Sequence, residues 1–469
     1  MNRLIYLLLA VVTVSCSGVS QPVPPGKAPL ADLRPIREFL DQQAGELHLP
    51  ARVRRLYAEN DYRFMWTSRQ QQFRDAVLTL DCVIQFGLTP DRYHPAELTA
   101  AQTRLLEPAA GERDSAALAR TDVLLTDAIL TLMSDLHYGR YNPRVSLDDV
   151  DDPRHTDFSP DSVFRAALAS PGFRETILEV QPQVRGYRLL QDYQRLLSSQ
   201  YTGDRYDVSD DTLRLIAINL ERYRWQHAGT HHYAEINIPA YRLEYVNGTV
   251  RERFRVIVGK PSSPTPALAG RIEYFTTAPD WKVPAGIFRK EILPAAIADP
   301  GYLERNHFTI YDRRGEPVQT DPENLRSVRL HPDRYAARQS GGCDNALGRI
   351  VFYFGNPYSV YLHDTPARHL FSRKYRALSH GCIRVERPER LVELVLDAEA
   401  APKATRLKVA SSMESYTSYR YHLKTPVPIV IRYITCEVEE GLLVRHPDVY
   451  GRDQVLSRQL FGKPLSPKS

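Results

Sequence analysis

The stretch Ser379-His380-Gly381-Cys382-Ile383-Arg384 decides how this chain is read. It sets a cysteine, a histidine and a glycine turn side by side. A second histidine, His363, precedes it with fifteen residues between, 364 to 378. A free thiol ionises near pH 8.5, so a cysteine needs help to act as a nucleophile at neutral pH. An imidazole supplies that help by taking the proton or by pairing with the thiolate. Gly381 permits a tight backbone approach, which would aim the Gly381 and Cys382 amides at a developing oxyanion. These are the parts of cysteine acyl transfer. Cys382 is the candidate nucleophile, and His363, at a strand end, is the candidate base or imidazolium partner. Asp364 could orient the imidazole through its side chain or its backbone carbonyl, or could simply make a turn. The bland alternatives are a buried inert cysteine and a strand histidine bonded to a carbonyl.

The same residues resemble the signature of the L,D-transpeptidase catalytic domain of the YkuD type. Trp281-Lys282-Val283-Pro284, Asn345-Ala346-Leu347-Gly348-Arg349 and Tyr361-Leu362-His363-Asp364-Thr365-Pro366 resemble the larger, YcbB-type members. So do Asn219-Leu220-Glu221-Arg222-Tyr223-Arg224-Trp225 and Pro426-Val427-Pro428-Ile429-Val430. The likeness runs from about residue 30 to the end. It implies an exported enzyme acting on peptidoglycan stem peptides. Cys382 would form a thioester with the donor stem, and an amine of a second stem would resolve it into a 3-3 cross-link. Water as the resolving group would make an L,D-carboxypeptidase or endopeptidase, and a lipoprotein amine would make a tether. An inactive wall-binding scaffold protein is the non-enzymatic alternative.

The resemblance also implies roles for neighbouring residues. Ser379 and His380 would line the site, or brace its loop. The Arg384 guanidinium could fork onto a stem-peptide carboxylate. Many relatives carry Asn there, so a structural role stays open. Tyr361 and Trp281 would shape the acyl pocket or merely pack. A carbapenem would acylate Cys382. No metal or organic cofactor is implied. A zinc set of His363, His380, Cys343 and Cys382 would match no standard ligand spacing.

Composition is that of a globular chain: 469 residues, 43% hydrophobic and 25% charged. The net charge of +5 and the lack of a Lys/Arg run speak against nucleic acid. Residues 1–20 read as an export signal, with Arg3 ahead of an apolar run from Leu4 to Val14 that is too short to span a bilayer. Cys16 follows in a pattern that resembles a lipobox, from which Thr13 departs; plain signal cleavage is the alternative. Lipidation at Cys16 would hold the protein in the periplasm, at the outer membrane, because Ser17 carries no acidic retention signal. Cys82, Cys343 and Cys436 leave several disulfide pairings open.

The expected fold class is α+β. A Pro-rich tether spans 21–30 and a helical scaffold domain 31–228, followed by a β-rich catalytic domain over 229–469. Apolar stripes at 76–84 and 121–136 predict scaffold helices. His94, His137 and His155 read as turn or surface residues. Asp210 or Asp211 would cap a helix from about Thr212 to Trp225. Alternation around Asn247-Gly248 predicts a hairpin. Strands follow at Ile350–Phe354, Ser359–His363 and Val427–Val438, with a helix over Glu386–Ala398. Between them, Pro284 to about Asn345 carries helix and loop signals and resembles a capping subdomain that would lie over the nucleophile.

Overall fold

The computed structural model describes residues 34–106, 114–152, 154, 157–198, 208–226, 229, 231–299 and 301–466. The export signal, Cys16, the tether and His155 lie outside these residues. Among the described residues no helix is long and apolar enough to cross a membrane.

The N-terminal part is helical, as its stripes predict. Its axis is the 24-residue helix Ser115–Tyr138, which begins on an Asp114 cap accepting from the Ala116 amide at 2.9 Å. Nearly every side chain from Thr121 to Leu136 is buried, so the other scaffold helices wrap it completely. The predicted stripe at 76–84 is a helix over Gln70–Asp81 and then a 3-10 turn over Val83–Phe86. Gly87 ends that turn in the left-handed region, where a Cβ would sit 2.8 Å from Ala217 Cα.

Three aspartates on the central helix are buried, and each is held. Asp122 accepts from Tyr57 Oη at 2.6 Å and from the Met65 and Trp66 amides. Asp127 accepts from the His48 and Leu49 amides, which open the helix Pro50–Glu59, and pairs with His94 Nε2 at 2.8 Å. Asp135 takes Tyr93 Oη and Arg92. His94 is thus a turn residue, as expected, with φ +48° and an inward-facing ring. His137 is partly buried on the last turn of the central helix. Its ring stacks on Phe158 at 4.1 Å between centroids, and its Nδ1 meets the Val180 carbonyl, because apolar neighbours cover it.

The second part is a nine-stranded sheet that closes on itself. Its strands are β1 (His232–Asn237), β2 (Arg242–Asn247), β3 (Val250–Gly259) and β4 (Leu268–Thr277). After β5 (Trp281–Lys282), β6 (Phe308–Tyr311) and β7 (Ala336–Gln339), which lie elsewhere, come β8 (Ile350–Phe354), β9 (Leu362–His363), β10 (Ala377–Ser379), β11 (Ile383–Val385) and β12 (Tyr419–Arg432). The order is β10-β3-β11-β9-β8-β4-β12-β1-β2, and the first half of β3 also pairs with β2. One long strand therefore serves both ends of the ring. The interior is apolar, with Phe254, Val256, Phe275, Phe352, Leu362, Ile383 and Ile429 fully or almost fully buried. The helix Pro388–Ala398 lays its Leu391, Val392 and Val395 face against this core.

Three expectations change. Ser359–Tyr361 is not strand; β9 has only two residues, since Ser359 takes φ +54°. Ser209, not Asp210 or Asp211, caps the helix Asp210–Arg224, and the two acids occupy its first turn. The segment 284–345 is more than helix and loop: its β6 and β7, with β5 just ahead of it, form a separate small sheet in the order β5-β7-β6. That sheet and the helix Leu293–Ala298 share an apolar core of Trp281, Phe288, Leu293, Phe308, Ile310 and Val328.

A further core joins the parts that the sequence divides near residue 228. Helices Arg185–Leu197 and Asp210–Arg224 pack against Ile434, Cys436 and the C-terminal helix Arg452–Phe461. Asn219 accepts from the Thr435 amide at 2.7 Å, and Arg222 pairs with Asp453 at 2.5 Å, all four residues being buried.

Candidate active site

Strand register builds the site. β9 and β11 run parallel, with Leu362 beside Ile383 and His363 beside Arg384. The Ile383 amide donates to the Tyr361 carbonyl at 3.1 Å, which continues the pairing one step back. Side chains alternate along a strand, so Leu362 and Ile383 enter the apolar interior. Tyr361, His363, Cys382 and Arg384 take the other face. All four line one cleft of about 670 Å³, and Trp281, Ile287, Lys290, Glu291 and Leu347 of the 281–349 region close it from above. Residues of the segment 284–345 thus line the same cleft as Cys382.

The nucleophile loop is braced from below. Ser379 is buried; its Oγ donates to the Cys382 carbonyl at 2.5 Å and accepts the Gly381 amide at 3.1 Å. The Gly381 N–H is thus committed inside the loop, contrary to its expected place in an oxyanion hole. What the loop needs from Gly381 is its φ of +119°, since a Cβ there would meet nothing closer than 3.9 Å.

A second brace is absent from the sequence reading. The turn after β3 holds the loop with the Lys260 amide on the Ser379 carbonyl at 2.9 Å. Ser263 Oγ reaches the His380 carbonyl, and Thr265 Oγ1 the Gly381 carbonyl, each at 2.8 Å. Tyr450 Oη in turn donates to the Gly259 carbonyl at 2.7 Å. Gly259 has no room for a side chain, because a Cβ would lie 2.2 Å from the Ser263 carbonyl oxygen. The only sequence signal for this turn is Gly259-Lys260-Pro261-Ser262-Ser263-Pro264 directly after an alternating strand.

His363 is buried, and its Nδ1 has no hydrogen-bond partner. Burial, and then the neighbouring Arg384 charge, pull its pKa down to about 3, against a weaker opposing contribution from the Asp364 backbone. The imidazole is therefore neutral across the physiological range. Burial also pushes the Cys382 thiol up, while hydrogen bonding to Tyr361 and the Arg384 charge act the other way. Burial thus favours the neutral thiol at Cys382, as it favours the neutral imidazole at His363. Cys382 Sγ has the Ser359 carbonyl at 3.8 Å.

Asp364 does not reach the imidazole with its side chain. Its carboxylate accepts the Arg349 amide at 2.9 Å and faces Arg368 at 3.4 Å. Gly348 presses so close that a Cβ there would lie 2.5 Å from that carboxylate. The backbone carbonyl is the Asp364 group left for the imidazole.

Arg384 is half-buried. Its Nε has no hydrogen-bond partner, and burial pulls its pKa below the ordinary guanidinium value. Tyr361 meets the His363 ring edge-on at 5.7 Å, and burial raises its phenol pKa. Trp281 packs on Phe308 in the cap core while lining the cleft. His380 stands at the mouth and bonds Glu291 of the cap at 2.7 Å. Cys82, Cys343, Cys382 and Cys436 are all free thiols. Among the described residues one group of three potential metal ligands converges, His48, His94 and Asp127, in the scaffold; it includes none of His363, His380, Cys343 and Cys382.

A free thiol and a buried neutral imidazole that line one cleft are parts of a nucleophilic centre. Comparisons with known proteins show what the two parts of the chain resemble. Residues 231–429 match the L,D-transpeptidase catalytic domain, YkuD, and residues 51–193 match the Scaffold domain. A Haemophilus influenzae protein named as a candidate L,D-transpeptidase is 34% identical over 246 residues, 52% of this chain and 48% of that one. The chain thus spans about half the length of that relative. An L,D-transpeptidase from Mycobacterium smegmatis matches at 17% identity over 44% of this chain and 60% of its own, with a TM-score of 0.19, too low to bear on the fold. The two matches stand in the YcbB-like order, a Scaffold domain match followed by a catalytic-domain match.

Proposed function

We propose that this protein is a peptidoglycan L,D-transpeptidase that forms 3-3 cross-links through a thioester on Cys382. The observation that carries the proposal is the single face shared by Tyr361, His363, Cys382 and Arg384 inside a capped cleft, within a matched YkuD domain. Neutral His363 takes the thiol proton as sulfur attacks the amide between diaminopimelate and the terminal D-alanine. The C–N bond breaks, and the imidazolium returns the proton to the departing D-alanine amine. Arg384 lowers the basicity of His363 at rest, and its guanidinium is available to a substrate carboxylate. With the Gly381 amide committed to Ser379, the Cys382 amide is the loop donor assigned to the oxyanion. An amine from a second stem then resolves the thioester. A carbapenem carbonyl would be trapped by the same thiol. Export to the periplasm, with a lipid on Cys16 at the outer membrane, completes the proposal.

The test is mass spectrometry of the products from a tetrapeptide-stem substrate, with wild type and Cys382→Ala. A joined peptide made by wild type alone is expected. A shortened peptide instead would make the enzyme a carboxypeptidase, and a joined peptide from Cys382→Ala would remove the mechanism.

A further inference from the structure

The acyl acceptor poses a charge problem that the donor does not. The donor stem brings carboxylates, and the cleft offers Lys260, Lys290 and Arg384. The acceptor brings an amine, which is an ammonium near neutral pH. Among the described residues lining the cleft, one carboxylate is present, Glu291. It lies in a π-helical turn, Phe288–Ile292, a winding that recurs at functional sites. Phe288 and Ile292 are buried in the cap core and fix that turn, while Glu291 faces the cleft and keeps 48% of its side chain exposed. Glu291 Oε1 is 2.7 Å from His380 Nε2, two residues from the nucleophile, and Lys260 Nζ lies 3.5 Å from the same nitrogen. Glu291 therefore reaches from the cap across the mouth to the nucleophile loop, on a side chain that the donor chemistry does not use.

Building on the transpeptidase proposal, we infer that Glu291 and His380 form the subsite that receives the acceptor ammonium. One ammonium proton passes to the Glu291–His380 pair. The freed lone pair attacks the thioester carbonyl carbon; the C–N bond forms, the C–S bond breaks, and the second amine proton reaches the departing Cys382 sulfur through His363. The proton on the pair leaves to solvent. A neutral nucleophile needs none of this, so the subsite would favour an amine over water only when the amine arrives charged.

Glu291→Gln separates charge from scaffolding, because Gln can still hydrogen-bond His380. The full chain is acylated with a tetrapeptide stem, and loss of the thioester is followed by intact mass spectrometry. The resolving nucleophile is diaminopimelate, which carries ammonium groups, or hydroxylamine, which is largely uncharged at neutral pH. Wild type and Glu291→Gln should both form the thioester and should release it to hydroxylamine at the same rate. The variant should require at least about tenfold more diaminopimelate for half-maximal release, the scale of a lost charge-assisted hydrogen bond. Unchanged dependence on diaminopimelate overturns the subsite, and so does an equal slowing with both nucleophiles. A wild-type thioester that only water resolves also overturns it, yet leaves a hydrolytic enzyme standing. A wild type that forms no thioester removes the transpeptidase proposal itself and the subsite with it.

Discussion

The buried aspartates of the central scaffold helix and the buried basic groups of the catalytic cleft are met in different ways. On the helix, Asp122, Asp127 and Asp135 each meet amides, hydroxyls or basic groups from neighbouring segments. In the cleft, His363 Nδ1 and Arg384 Nε are left without hydrogen-bond partners. A satisfied buried network fixes a fold, whereas an unsatisfied one costs stability and is retained where a ligand completes it. The three aspartates thus serve structure, whereas His363 and Arg384 keep polar atoms without protein partners in the cleft.

The contrast can be broken by substitution, and the largest effects fall in the cleft. His363→Asn should slow thioester formation by roughly 100- to 10,000-fold, the contribution of a positioned base, while the protein stays folded by circular dichroism. A rate near wild type would assign the proton to another group. Asp127→Ala should do the reverse. It strands the His48 and Leu49 amides and should cost roughly 2–5 kcal/mol in denaturant unfolding, with acylation per folded molecule unchanged. A smaller effect is expected for Ser379→Ala, which removes the hydroxyl between the Gly381 amide and the Cys382 carbonyl. Slight misplacement of the thiol should slow acylation about 10- to 100-fold. If the rate held, the turn at 259–265 would be brace enough.

The pH dependence sharpens the same comparison. The Cys382 thiol is held above its ordinary value and shares its cleft with a neutral imidazole. Alkylation of Cys382 by iodoacetamide should therefore climb steadily through the alkaline range. A plateau reaching down to pH 5 would instead reveal a resting ion pair. His363 also links to stability. Its folded pKa of about 3 lies below the unfolded value, so the unfolded chain binds the proton first as pH falls below about 6.5. Wild type should lose about 1.6 kcal/mol between pH 6.5 and pH 5 that His363→Asn does not lose. Identical acid slopes in the two proteins would show that the imidazole is not held neutral.

The central pair was legible in the sequence because its information is local. Ser379 to Arg384 is one continuous stretch, and His363 stands at a fixed spacing from it. The hairpin at Asn247-Gly248 and the long scaffold helix were legible for the same reason, through strong period-2 and 3.6 patterns. The cap sheet was not. β5 has two residues and β7 reads Ala-Ala-Arg-Gln, too short and too mixed to carry a period, and each is strand only through a distant partner. The turn at 259–265 and Tyr450 were hidden in the same way, since they meet the nucleophile loop across more than a hundred residues or through one another. The commitment of the Gly381 amide to Ser379 depends on a hydroxyl rotamer that no spacing encodes.

The most direct measurement is the intact mass of the full chain after brief exposure to a tetrapeptide stem, followed by peptide mapping of any adduct. The expected result is one added acyl group, the stem less its terminal D-alanine, on Cys382 in wild type and absent in Cys382→Ala. An adduct on Cys343, or turnover with Cys382 never modified, would contradict Cys382 as the nucleophile of the cleft that it shares with His363.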